Sequence, residues 1–205
     1  MSKKPDVITF KASLLQKIKD DPKNISNMIN LGILEFEYFH EPEKALELFQ
    51  HAEELDPANV TVKFWLATCL SIDFFKYQEA KLKLTEALII NPKSPECLSL
   101  MGWILWENNE SLEDALSYTL LAVKYAPDWP MVRSQLAWLY YLLGDLEKSK
   151  LEIHNTFRIG PFDQNKISNE VESYYENTIT GRSWENKQEK FEYLIQAINE
   201  KSLKS

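Results

Sequence analysis

Apolar residues recur along this chain at helical spacing, and small residues recur among them at a longer interval. In residues 5–20, Val7, Phe10, Leu14 and Ile18 form one stripe of an amphipathic helix ahead of Pro22. In L-M-G-W-I-L-W-E-N-N, residues 100–109, Trp103 and Trp106 lie three apart, about 60° from each other round a helix, and so share a face. Residues 165–178 and 183–202 read as two more helices separated by Thr180-Gly181-Arg182-Ser183, the last with Trp184, Phe191, Leu194, Ile195 and Ile198 on one side. Five glycines and widely spaced prolines in a Leu, Glu, Lys and Ala-rich chain favour helix over sheet. The expectation is an all-α protein.

The prolines reveal a repeat. Pro22, Pro57, Pro92, Pro127 and Pro161 are separated by 35, 35, 35 and 34 residues. Ala45, Ala80, Ala115 and Ser149 each lie 12 residues before a proline of the series, and Ala52, Ala87, Ala122 and Thr156 lie five before it. Upstream, Gly32, Ala67, Gly102 and Ala137 follow Leu31, Leu66, Met101 and Leu136. Small residues at i and i+7 share a helix face, and a glycine or alanine opposite lets two axes approach closely, so each period encodes an antiparallel helix pair. Ser94-Pro95-Glu96 reads as a helix start, Ser111-Leu112-Glu113-Asp114 as a near capping box, and Gly144-Asp145 as a stop followed by a start.

These residues resemble the tetratricopeptide repeat family. The matching frame is Leu31-Gly32, then Ala45, Phe49, Ala52 and Pro57, repeated in Ala80, Leu84, Ala87 and Pro92, with G-D-L-E-K-S beginning at Gly144. Four units span 24–57, 58–92, 93–127 and 128–161, together about two thirds of the chain. The first three carry one extra residue between their helices, and Met28, Lys63, Leu98 and Arg133 replace the family's bulky aromatic early in the first helix. The resemblance implies a right-handed superhelical solenoid of antiparallel helix pairs. Residues 1–23 are then a basic segment with an N-terminal capping or dimer-forming helix, and 162–205 a degenerate fifth repeat or C-terminal cap.

Composition narrows the function. The net charge is −8, and residues 24–161 hold 11 Lys plus Arg against 20 Asp plus Glu. A sequence-independent grip on nucleic acid needs a basic surface, which also disfavours the RNA-binding pentatricopeptide arrays of similar period. Residues 1–23 run the other way, with six Lys against three Asp. No apolar run has signal-peptide or membrane-span length, so a cytoplasmic protein without membrane insertion is expected. Cys69 and Cys97 read as reduced packing residues. His40, His51 and His154 are scattered over separate units, and no phosphate loop, zinc-protease helix or nucleophile elbow occurs. The expectation is a non-enzymatic chain with no cofactor and no metal site.

In this family the concave surface is lined mainly by first helices. Counting from the small residue, the groove positions are Ile29, Ile33, Phe36 and Glu37 in the first unit, and Phe64, Thr68, Ser71 and Ile72 in the second. The third gives Ser99, Trp103, Trp106 and Glu107, and the fourth Ser134, Trp138, Tyr141 and Leu142. Trp103 and Trp138 are 35 residues apart, as are Trp106 and Tyr141, so a contiguous aromatic patch is expected. Such a patch suits an apolar helix or extended peptide, with Glu37 and Glu107 on the rim for a basic partner. Part of the list can instead be core, or can be covered by the C-terminal helix or a dimer mate; Trp65, off the stripe, reads as packing or a convex-edge contact. The carboxylate clamp of one subfamily is absent, because Ile29, Ile33, Phe64, Thr68 and Ser99 stand where its cations and amides belong. The leading expectation is an adaptor, scaffold or chaperone; the acidic, compact chain is similar to bacterial secretion chaperones, without a motif specific to them. The alternative is an acidic immunity or inhibitor protein that neutralises a basic toxin or nuclease.

Overall fold

The computed structural model describes residues 7–159. The chain divides into two compact units, broken between Ile90 and Asn91. Unit 1 contains α1 (Val7–Asp20), α2 (Ile25–Leu34) continuing into a π-helical turn (Glu35–Phe39), α3 (Pro42–Leu55), α4 (Val60–Ile72) and α5 (Tyr77–Ile90). Unit 2 contains α6 (Pro95–Glu107), α7 (Leu112–Tyr125), α8 (Pro130–Leu142) and α9 (Leu146–Ile159). The helices expected at 165–178 and 183–202 lie outside the described residues.

Neighbouring helices pack as the period requires: α2 on α3 and α4 on α5 in unit 1, α6 on α7 and α8 on α9 in unit 2, with α3 joining α4 and α7 joining α8. The small residues are the points of close approach. Ala45, Ala52, Ala67, Ala80, Ala87, Ala115, Ala122 and Ala137 are all fully buried. At Gly32 an added Cβ would lie 2.6 Å from the Phe49 ring, and at Gly102 it would meet Thr119 Oγ1 at 2.6 Å and the Ala115 carbonyl at 2.9 Å. Any side chain at either place would force apart helices that now touch. α1 lays Leu14 against α2, while its Lys11 ammonium pairs with buried Glu35 at 2.7 Å and sits 4.0 Å above the Phe39 ring. The stripe foreseen over 5–20 holds the less exposed side chains of α1, Val7, Phe10, Leu14 and Ile18, and α1 packs on α2.

Local chemistry starts and stops these helices. Ser94 and Ser111 accept hydrogen bonds from the Cys97 and Asp114 N–H groups, as their spacing foretold, and Asn24 and Asn59 cap α2 and α4 in the same way. Between pairs, Asp21, Asp56 and Asn91 each accept from the N–H two residues on, across Pro22, Pro57 and Pro92. The fourth such turn has Ala126 and Trp129 at the matching places, and Trp129 makes no side-chain cap. Within pairs, the extra residue is absorbed in two ways. In unit 1 the chain closes with wide bonds, Glu41 N–H to Glu35 carbonyl and Lys76 N–H to Leu70 carbonyl, around His40 (φ 56°) and Phe75 (φ 54°). In unit 2 both turns are Schellman motifs, with Glu110 and Asp145 N–H groups reaching Leu105 and Tyr140 carbonyls around Asn109 and Gly144. The third pair places its extra residue after the left-handed position instead of before it.

Both cysteines are buried free thiols. Burial pushes the Cys97 thiol up to about 11, and burial together with the Asp73 and Glu37 charges raises Cys69 further.

Candidate functional site

Unit 2 carries an aromatic layer on α6 and α8. Trp106, from the last turn of α6, stacks on Trp138 of α8 with ring centroids 6.2 Å apart and planes at 26°. Tyr141, one turn further along α8, meets Trp138 edge to face at 5.9 Å. All three are half-buried, as is Trp103, one turn before Trp106 on α6. Leu142 is 42% exposed beside them and Glu107 is exposed at the end of α6. Buried Ala137 is where α8 meets α9, with Trp138 and Tyr141 of α8 and Leu146 and Ile153 of α9 packed around it. Trp106, Trp138 and Tyr141 thus form one contiguous layer of rings.

Below the aromatics lies a closed polar network. Gln135 Nε2 donates to Thr119 Oγ1 at 2.9 Å and to the Ser99 carbonyl at 3.1 Å, while Ser99 Oγ donates to Gln135 Oε1 at 2.9 Å. Thr119 Oγ1 in turn donates a hydrogen bond to the Ala115 carbonyl at 2.8 Å. Among the described residues every buried side-chain nitrogen or oxygen has a partner, so this network ties α6, α7 and α8 without an orphaned group. Ser99, expected in the groove, is instead a fully engaged interior residue, only 4% exposed.

In unit 1 the corresponding face is less aromatic than expected. Phe36, on the π-helical turn, leans edge-on against Trp65 at 6.2 Å, and Trp65 stacks on Phe49 at 5.9 Å and 19°. Trp65 is buried, which settles it as packing. Phe64 meets the same indole at 5.2 Å. Ile29, Ile33 and Glu37 are half-buried, and Ile72 is exposed. Thr68 and Ser71 are buried, like Ser134 in unit 2, contrary to their expected place on an open surface. Each returns its hydroxyl hydrogen to its own helix: Thr68 to the Phe64 carbonyl, Ser71 to Ala67, Ser134 to Met131. A hydroxyl satisfied by its own helix can be buried at little cost.

Two cations early in first helices, Lys63 and Arg133, form ion pairs with neighbouring helices. Lys63 is buried between α3 and α5, with Glu53 at 2.8 Å and Glu86 close on its other side, and Lys83 adds a second cation to Glu53 at 2.8 Å. Burial alone would push the Glu53 carboxyl up, but the two ammonium groups outweigh it and hold it below its usual range. Lys63 is raised for the mirror reason: desolvation opposes its charge, and the carboxylates of Glu53 and Glu86 overcome that. Arg133 holds the equivalent place in unit 2, bonding Glu152 Oε2 and the Pro127 carbonyl, each at 2.6 Å. The signal was available in the charges themselves, cations where the repeat wants an aromatic and acids on the flanking helices.

Among the described residues no group of three or more His, Cys, Asp or Glu side chains could hold a metal ion, and no helix is long and apolar enough to cross a membrane.

Antiparallel pairs at this period, closed by small residues and separated by proline turns, define an all-α helical-repeat fold of the tetratricopeptide type. Solved structures agree. The chain is similar to PilW, a widely conserved type IV pilus biogenesis factor, at 18% identity and a TM-score of 0.68 over 86% of each chain. It is similar to a thermophilic TPR protein of Thermus thermophilus at 17% identity and a TM-score of 0.66, covering 82% of this chain and 88% of that one. A third likeness is to YrrB, a TPR protein with an unusual peptide-binding site, at 19% identity and a TM-score of 0.58 over 90% of each. The fold is therefore that of the tetratricopeptide-repeat proteins, with no subfamily assigned. No family model matches the sequence, and no curated protein matches it.

Proposed function

We propose that this chain is a non-enzymatic protein-interaction module, and that the aromatic face of α6 and α8 takes an apolar helical or extended segment of a protein partner. The observation that carries this reading is the Trp106–Trp138–Tyr141 layer with exposed Leu142 at its margin. Buried indoles need no particular order, whereas three aromatic rings side by side on one half-covered face supply the wide, stiff, apolar contact typical of binding hot spots. The printed description of YrrB as having a peptide-binding site is consistent with this use of the fold. Trp103 extends the face along α6, and Ile29, Ile33, Phe36, Phe64 and Ile72 are the corresponding positions of unit 1, a less aromatic surface. Glu37 and Glu107 favour a partner with Lys or Arg beside its apolar residues, an effect on encounter rate more than on affinity.

The test is an affinity capture from native lysate with the wild type beside the Trp103→Ala, Trp138→Ala variant, each at low salt and at about 0.5 M salt, where screening acts within roughly 3–5 Å. The expected result is a partner retained at high salt and lost from the double variant. A partner that binds the double variant at full strength, or that salt alone removes, overturns the apolar face in favour of charge-led capture.

A further inference from the structure

We propose that residues 183–202 of this same chain are the resident occupant of the Trp106–Trp138–Tyr141 face, an internal ligand that a partner must displace; this rests on that face being a binding surface. α9 ends at Ile159 in the same compact unit as the face, and residues 160–182 then provide 23 residues of connection. Extended, that stretch can reach roughly 75 Å, against a length of about 20 Å for a helix such as α8, so distance does not restrict docking. The segment matches the face in chemistry. Trp184, Phe191, Leu194, Ile195 and Ile198 would share one side of a helix, giving an amphipathic ligand with an aromatic and aliphatic stripe.

Charge also suits it. Residues 183–205 contain Lys187, Lys190, Lys201 and Lys204 against Glu185, Glu189, Glu192 and Glu200, a balanced set that the acidic repeat body does not repel. A tether of this length holds its ligand at an effective concentration on the order of 1 mM. If the free segment binds the face with a dissociation constant of about 10 μM, any competitor is weakened about 100-fold whatever its own affinity, which makes the segment a threshold that only a strong partner passes.

The experiment uses a fluorescent synthetic peptide of residues 183–202 and three full-length chains: wild type, a tail variant carrying Phe191→Ser and Ile195→Ser, and the tail variant with Trp138→Ala added. Anisotropy should show the peptide binding the tail variant about 100-fold more tightly than the wild type, and losing that affinity when Trp138 is removed. Leu142→Glu in the tail variant is a second check that leaves the interior intact; it should weaken the peptide at least tenfold with circular dichroism unchanged. Equal affinity for wild type and tail variant overturns the proposal, as does no binding to the tail variant. Binding that survives Trp138→Ala and Leu142→Glu but fails with Leu151→Glu overturns it too, placing the segment on the outer side of α9. If the tail variant captures a partner protein in a Trp138-dependent way yet ignores the peptide, the proposed function stands and internal occupancy fails.

Discussion

The two units open the same space with a glycine and fill it with opposite chemistry. In unit 1, Gly32 admits the Phe49 ring, and Trp65 and Phe36 stack outward from it, so the aromatics are consumed in holding helices together. In unit 2, Gly102 admits Thr119 and Gln135, whose hydrogen bonds to Ser99 satisfy the interior without any ring. Trp106, Trp138 and Tyr141 are thereby left for the surface layer. An aromatic residue is drawn into the interior or left half-exposed according to what already fills the space between the helices.

The largest expected effect breaks unit 1 alone. Phe49→Ala should cost about 3–5 kcal/mol, because a fully buried ring is lost and Gly32 offers nothing to fill the cavity. Hydrogen exchange should then accelerate in peptides from residues 7–90; equal acceleration in 91–159 would mean the units do not differ as described. Gly102→Ala comes next, at about 1–3 kcal/mol, since a Cβ 2.9 Å from a backbone carbonyl cannot be relieved by a rotamer change. Its exchange signature should appear in 91–159.

The buried cation separates the units by pH. Because the Glu53 carboxyl is held low, its stabilisation is complete above its ordinary value of 4.5 and is lost as the pH falls below that. Lys63, raised above 10.5, keeps its contribution through neutral pH and gives it up only in strong alkali. Lys63→Met should lower unit 1 stability at pH 7 by about 2 kcal/mol, less than a fully unpaired buried charge costs, because Lys83 still reaches Glu53. The same variant should flatten the acid limb of a thermal-melt profile between pH 5 and about 3; an unchanged limb would remove Glu53 from the account.

The smallest effects lie in the turns. Phe75→Gly should stabilise unit 1 by about 1 kcal/mol, since Phe75 is left-handed yet 69% exposed and recovers little by burial. Asn109→Gly should change unit 2 by only a few tenths, asparagine tolerating that conformation. Trp129→Asp should add about 0.5–1 kcal/mol by restoring the missing cap of α8. Chemical denaturation of the three variants orders them.

The helix pairs, their small-residue contacts and the caps at Ser94, Ser111 and Gly144-Asp145 were legible because each follows from local spacing. Burial of Thr68, Ser71 and Ser134 was not, since counting round a helix treats a hydroxyl as polar and takes no account of a carbonyl three or four residues back, and burial of Ser99 was not because its partner, Gln135, lies 36 residues away. Phe36 sits on the π-helical turn, half-buried and edge-on to Trp65, a contact that counting at a regular α-helical step does not foresee. The Trp106–Trp138 and Trp138–Tyr141 ring contacts in unit 2 lie on regular α-helices, where the 35-residue spacing places aromatics on neighbouring turns.

The two interior thiols make this chain easy to instrument. Cys97 with a pKa near 11, and Cys69 raised further, present almost no thiolate at neutral pH and no access to bulky reagents. A cysteine introduced by Leu142→Cys would therefore take a maleimide dye alone, without first replacing the native pair.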